Sequence, residues 1–275
     1  MLNALKTTAL LAFLSSILVA IGYGFGGTTG MILMLGVSVV INFGTWFFAD
    51  TIVIKTTGAV PVDRNQLGWL HDEVEDLAQR ANMPVPRLYI VPHEQSPNAF
   101  ATGRSPNKGV VAVTAGLLQT LSRREVRGVL AHELGHIKNR DTLVSAIAAT
   151  MAGVISFAAR MAMFSGGRRD RNPLLGIVIM IAAPLAAIIL RMMISRTREY
   201  GADARAAQIT GDPEGLAMAL EGLSRGTTRQ PMHNQGAQNV HFIINGFAGR
   251  LGRLMSTHPP TEKRVAKLRA MANRS

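Results

Sequence analysis

The sequence predicts an α-helical integral membrane protein whose water-exposed part is mainly α, of the α+β class, with a small β-sheet. Three observations predict it. From Thr7 to Ala49 there is no Asp, Glu, Lys or Arg. Two further charge-free runs, Thr142 to Ala159 and Asn172 to Leu190, follow later. Between and after these runs lie amphipathic helical patterns and three short stretches rich in β-branched and aromatic residues. A charged fraction of 17% with a mean hydropathy of +0.20 is unlike an ordinary soluble domain, where about a quarter of the residues carry charge. A chain of 275 residues allows one or two domains.

Gly22 to Gly30 divides the first charge-free stretch into two apolar runs, and roughly 20 residues cross the hydrocarbon of a bilayer. Two helices are predicted, over about 4–22 and 31–49. The length of the first run, and the second run behind it, argue against a cleavable signal peptide. Lys6, Lys55 and Arg64 flank the pair on one side, while the loop between is uncharged. By the positive-inside rule the N-terminus and the chain after Asp50 face the cytoplasm. The later runs predict a second hairpin at the lower limit of spanning length, with Pro184 kinking its last helix and Arg160 and Arg191 snorkelling. Its loop bears Arg168, Arg169 and Arg171, against the positive-inside rule, so a shallow or protein-covered hairpin is the alternative. The expected organisation is a transmembrane hairpin over 1–49, a first cytoplasmic part over 50–141, the second hydrophobic hairpin over 142–194 and a second cytoplasmic part over 195–275.

Within the cytoplasmic parts, Asp63 with Gln66 has the spacing of a helix cap, and Leu67, Leu70, Val74, Leu77 and Ala81 recur at helical spacing. They predict a helix over 64–81, stopped by Pro84 and Pro86. Residues 87–91, 98–102 and 110–114 read as strands between Pro, Gly and Asn turns. Ser122 and Glu125 form a capping box that opens a helix whose apolar face is Val126, Val129, Leu130, Leu134 and Ile137. Helical patterns follow over 196–209 and 213–223, then a polar stretch over 224–241. The stretch Thr257 to Glu262 starts a final basic helix. Residues 195–275 hold 12 basic against 6 acidic side chains, and beside membrane helices such a face attracts anionic lipid headgroups; no nucleic-acid-binding motif is present. With no cysteine, disulfides, thiolate ligands and a cysteine nucleophile are excluded.

The capped helix carries His132-Glu133-x-x-His136. In a helix, residues i and i+4 share a face, so both imidazoles can grip one ion. The string arises by chance in about half a percent of chains of this composition, so its context must decide. Its placement inside a capped helix, and Gly135 permitting close backbone approach, argue against two solvated histidines on a surface helix. A catalytic zinc site takes three protein ligands, and the gluzincin arrangement is two histidines and a carboxylate from a second helix. Glu199 is the candidate. Asp203 lies four residues on along the same face, where it can accept a hydrogen bond from a ligand histidine. The alternative is a surface carboxylate pair among arginines. Asp141 is a weaker ligand candidate, because it follows the helix closely.

"AHELGHIKNRD", "SRTREYGADARAA", "NAFATG" and "STHPPTEKR", in this order among paired apolar runs, resemble the membrane metalloproteases of the HtpX family, with CAAX prenyl endopeptidases as more distant relatives. The resemblance covers nearly the whole chain. It implies a gluzincin-type fold and one Zn2+ per chain, held by His132, His136 and Glu199, with Glu133 as general base. It also implies that Asn98, Ala99, Phe100 and Ala101 lie on an edge strand that holds substrate backbone, and that His258 and Arg264 stabilise the oxyanion or orient the acidic groups. The bland alternatives are an ordinary hairpin strand, a histidine that merely precedes two prolines, and a solvated arginine. The implied activity is zinc-dependent hydrolysis of membrane-protein substrates in quality control and stress response, at the cytoplasmic face of a bacterial inner membrane. At 1.5 Å per helical residue, the metal should lie roughly 10 Å from that membrane surface. Two other functions fit part of the pattern: a metal-stabilised membrane scaffold without turnover, and a prenyl-protein endopeptidase. Glu133 argues against the first, since a structural zinc site needs no general base, and the number of apolar runs argues against the second.

Overall fold

The computed structural model describes residues 2–145, 196–229 and 260–273. Most of the expected second hairpin, His258 and most of the polar stretch lie outside the described residues. Contacts divide the chain into two units, Met1–Phe47 with Val144–Ser195 and Phe48–Leu143 with Arg196–Ser275.

α1 (Leu2–Thr57), which belongs to the first unit as far as Phe47, consists of two helical arms broken only at Gly26 and Gly27, the latter with φ +57°. The arms return on one another. A Cβ on Gly22 would stand 2.3 Å from the Gly30 carbonyl oxygen, and Asn42 Nδ2 donates to Ser15 Oγ at 2.9 Å. Small residues and an uncharged hydrogen bond thus join two apolar helices. The predicted 22–30 loop is therefore mostly helical, because glycine tolerates a helix and only Gly27 needs positive φ. The second arm also runs past the predicted end at 49 to Thr57, since Asp50 and Lys55 end the apolar run without ending the helix. Gly58, at φ +66°, terminates it. Among the described residues, Gly26–Phe48 is long and apolar enough to cross a membrane, whereas the apolar helix Leu11–Ala20 is shorter.

In the second unit, β1 (Val60–Pro61), β2 (Arg87–Val91), β4 (Val110–Thr114) and β3 (Ala99–Thr102) form a sheet in that spatial order. β2 and β4 are parallel, and β3 is antiparallel to β4 with Ala99 opposite Val113. β1 and the short helix α3 (Ala115–Thr120) escaped the sequence pattern; α3 is capped by the Thr114 side chain, which accepts from Leu117 N. α2 (Gly68–Arg80) starts four residues later than predicted. The Asp63 carboxylate accepts from Asn65 N and its carbonyl from Gln66 N, so the expected cap closes a turn instead.

α4 (Arg123–Lys138) has the predicted capping box at Ser122 and Glu125. Its apolar face joins Leu70, Leu77, Leu117, Leu216 and Leu268 in the core. Burying each such leucine contributes about 1.5–3 kcal/mol relative to leaving it exposed. α5 (Arg196–Thr210) and α6 (Pro213–Arg229) pack against it and each other, and α7 (Thr261–Ala272) packs against both of them. Two glycines let α4 be approached closely: a Cβ on Gly128 would meet Leu216 N of α6 at 2.7 Å, and one on Gly135 would meet Ala202 Cα of α5 at 3.3 Å. The second contact is what brings α5 alongside the histidines.

Candidate metal centre

The α4 ladder places His132 and His136 one turn apart on the face that meets α5. Their Nε2 atoms are 3.1 Å apart, with the rings edge to face. Glu199, in the first turn of α5, completes a triangle: Oε2 is 3.8 Å from His132 Nε2 and Oε1 is 3.5 Å from His136 Nε2. These three groups form a cluster of metal-ligating side chains among the described residues. With the proton of each ring on Nδ1, the two Nε2 lone pairs face each other at 3.1 Å and repel unless a cation lies between them. Ligands about 2.0–2.1 Å from a tetrahedral zinc ion stand roughly 3.3 Å apart, so the triangle fits such an ion.

Each ring turns its other nitrogen toward a carboxylate. Asp203 Oδ1 is 3.0 Å from His132 Nδ1, although the pair is not aligned as a hydrogen bond. Asp141 Oδ2 is 3.1 Å from His136 Nδ1. Sequence reasoning underrated Asp141: its only signal was an acid five residues beyond His136, and it lies against the back of that ring rather than among the ligand atoms.

Arg264 reaches the centre from α7 and is buried, not solvated. Its Nε donates to Asp203 Oδ2 at 2.8 Å and its Nη2 to Asp203 Oδ1 at 2.6 Å, while Nη1 lies 3.5 Å from Glu199 Oε2. Burial alone would push the Asp203 carboxyl up; Arg264 and His132 outweigh burial and hold it below the usual carboxylate range. Burial likewise pulls His136 down, but Asp141, Glu133 and Glu199 together raise it above its ordinary value in the metal-free centre. Glu133 is half-buried beside His132 on α4. Arg198, also unassigned from sequence, donates from Nη1 to the Asp141 carbonyl at 3.4 Å.

The structure thus brings together His132, His136, Glu199, Asp203 and Arg264. Ala99, Phe100 and Ala101 lie on β3, which packs against α4 and is an edge of the sheet among the described residues; Asn98 immediately precedes it. His258 lies outside the described residues.

Residues 64–272 match peptidase family M48. The chain belongs to this family. A protease HtpX homolog of Salinibacter ruber is 46% identical over the full length of both chains, and one of Methylibium petroleiphilum is 46% identical over 98% of each. The crystal structure of S. mikatae Ste24p superposes with a TM-score of 0.56 at 19% identity, covering 97% of this chain and 66% of that one, which shows a shared fold. As an M48 peptidase with the HExxH motif and a clustered glutamate, the protein is a metalloprotease.

Proposed function

We propose that this M48 peptidase is a zinc-dependent endopeptidase anchored in a bacterial inner membrane, which hydrolyses peptide bonds of misfolded or damaged membrane proteins at the cytoplasmic face. The observation that carries the reading is the triangle of His132, His136 and Glu199, with a carboxylate behind each imidazole. Two nitrogens and one oxygen suit zinc. Anchoring is supported by the Gly26–Phe48 helix, whose Ile32, Leu33, Val39, Val40 and Phe43 are exposed. Orientation is supported by Lys6, Lys55 and Arg64, and the quality-control role by the likeness to the HtpX relatives.

When bound, zinc supplies Lewis acidity to the attacking water and the scissile carbonyl. Glu133 accepts the proton as water adds to the carbonyl carbon. It returns that proton to the amide nitrogen as the C–N bond breaks, leaving a free carboxyl and a free amine. Asp203 and Asp141 stand behind the two histidines, and Arg264 keeps Asp203 ionised and lies beside Glu199. β3, with Asn98 before it, offers backbone groups to an extended substrate. The likeness to the HtpX relatives supports a role for His258 in stabilising the oxyanion or orienting the acidic groups. The test is cleavage of an unfolded membrane-protein substrate by detergent-purified, zinc-loaded enzyme beside Glu133→Gln. The variant should keep about one zinc per chain and lose at least 100-fold in rate; a wild type that binds zinc but cleaves nothing would favour a scaffold role.

A further inference from the structure

The turn that ends α4 brings a carboxylate back against the helix it has just left. Asn139 closes the helix, and Arg140 adopts φ +60°, a conformation uncommon for a residue with a side chain. This reversal carries Asp141 to the back of the His136 ring, where the residue is only 4% exposed. Two contacts from different elements hold the turn. Arg198, next to Glu199 on α5, donates to the Asp141 carbonyl, and Thr142 Oγ1 donates to the Gly103 carbonyl at 2.9 Å, just past β3. The Asp141 backbone is therefore tied to the glutamate helix, and the next side chain to the residue that follows the edge strand.

We propose that Asp141 is a positioning residue of the metal centre: its carboxylate accepts the Nδ1–H of His136, fixes the tautomer and ring plane, and commits the Nε2 lone pair to the ion shared with His132 and Glu199. The proposal rests on the reading that these three side chains bind zinc. Asp141 is not itself a ligand in this arrangement, because it sits on the Nδ1 edge while the triangle of ligand atoms lies at Nε2. Partners of this kind hold a metal-binding imidazole in one orientation, and their loss weakens metal affinity about 10- to 100-fold.

The experiment measures zinc affinity by competition with a chromogenic chelator in full-length wild type, Asp141→Ala, Asp141→Asn and His132→Ala. Metal-free unfolding and the visible spectrum of the cobalt-substituted proteins are recorded alongside. Asp141→Ala should bind zinc about 10- to 100-fold more weakly. Asp141→Asn, which keeps an acceptor oxygen but no charge, should fall between it and wild type, and both cobalt spectra should shift. A merely structural residue would lower metal-free stability and leave the folded protein's zinc affinity and cobalt spectrum unchanged; that result overturns the proposal. If the alanine variant does not fold, the asparagine variant decides by the same criterion. Wild-type zinc affinity in His132→Ala would instead sink the ligand assignment, whereas loss of zinc there with full affinity in Asp141→Ala would remove only the role given to Asp141.

Discussion

The two helices that supply the ligands are specified in different ways. α4 is written locally: a capping box starts it, and Val126, Val129, Leu130, Leu134 and Ile137 recur at helical spacing and are all buried. α5 buries residues at the same spacing, Glu199, Ala202, Asp203, Ala206 and Ile209, but two of the five are acids and two are alanines. A hydropathy pattern sees little on such a helix. Its buried face is held by Arg264 and His132, which lie far from it in sequence. A helix can be amphipathic in burial without being so in hydropathy when its inner face is chemistry rather than core.

The strongest way to break this contrast is to remove the α5 carboxylate that α7 grips. Asp203→Ala leaves the Arg264 guanidinium buried without its bidentate partner, and losing one member of a buried pair costs about 3–5 kcal/mol. Urea unfolding of the metal-free protein measures that loss. The pH dependence gives the sign. The folded Asp203 carboxyl titrates below its unfolded value of about 3.9, so its contribution is complete above that pH and disappears as the pH falls through the lower folded value. Asp203→Asn should flatten this acid limb relative to wild type. An unchanged limb would mean that α5 is not held by this charge pair.

The matching test on α4 is smaller. Ser122→Ala removes an N-cap that satisfies Glu125 N, and such caps contribute about 1 kcal/mol. Ser122 lies ten residues from His132, so zinc affinity in the folded variant should stay at the wild-type level. A cap loss as large as that of Asp203→Ala would show that α4 depends on its ends more than on its apolar face.

Legibility followed the same division. The capping box, the three longer strands, the α4 face and the clustering of His132, His136 and Glu199 all follow from local pattern or motif, and the structure shows them. Other features depended on partners that a local reading cannot see. Val60 and Pro61 become a strand only by pairing with Ile90 and Tyr89. Asp63 spends its cap on a turn. Asp141 reaches His136 only because Arg140 adopts a left-handed conformation, which nothing in its side chain favours. Arg264 is singled out only by the family resemblance; by local pattern it is one more basic residue on a basic helix until α5 supplies the buried acids it meets. The glycine-rich stretch at 22–30 misled for the opposite reason: it holds five glycines, yet the chain breaks only at Gly26 and Gly27.

The finest test lies at the contact between the two helices. Gly135→Ala gains about 1 kcal/mol of helix propensity on α4. The new methyl, however, would stand 3.3 Å from both Ala202 Cα and the Ala202 carbonyl oxygen. Those are backbone atoms of α5, so the helix must shift by a few tenths of an ångström rather than a side chain swinging aside. The two effects oppose each other, and the unfolding free energy should change by less than about 1 kcal/mol. Glu199 moves with α5 while His132 and His136 stay with α4, so the ligand triangle opens although the fold does not weaken. Zinc affinity, measured by the same chelator competition, should therefore fall in a variant whose stability is nearly wild-type. Equal zinc affinity would show that Glu199 follows the histidines through its own side-chain rotamers, and that the helix spacing set by Gly135 serves packing alone.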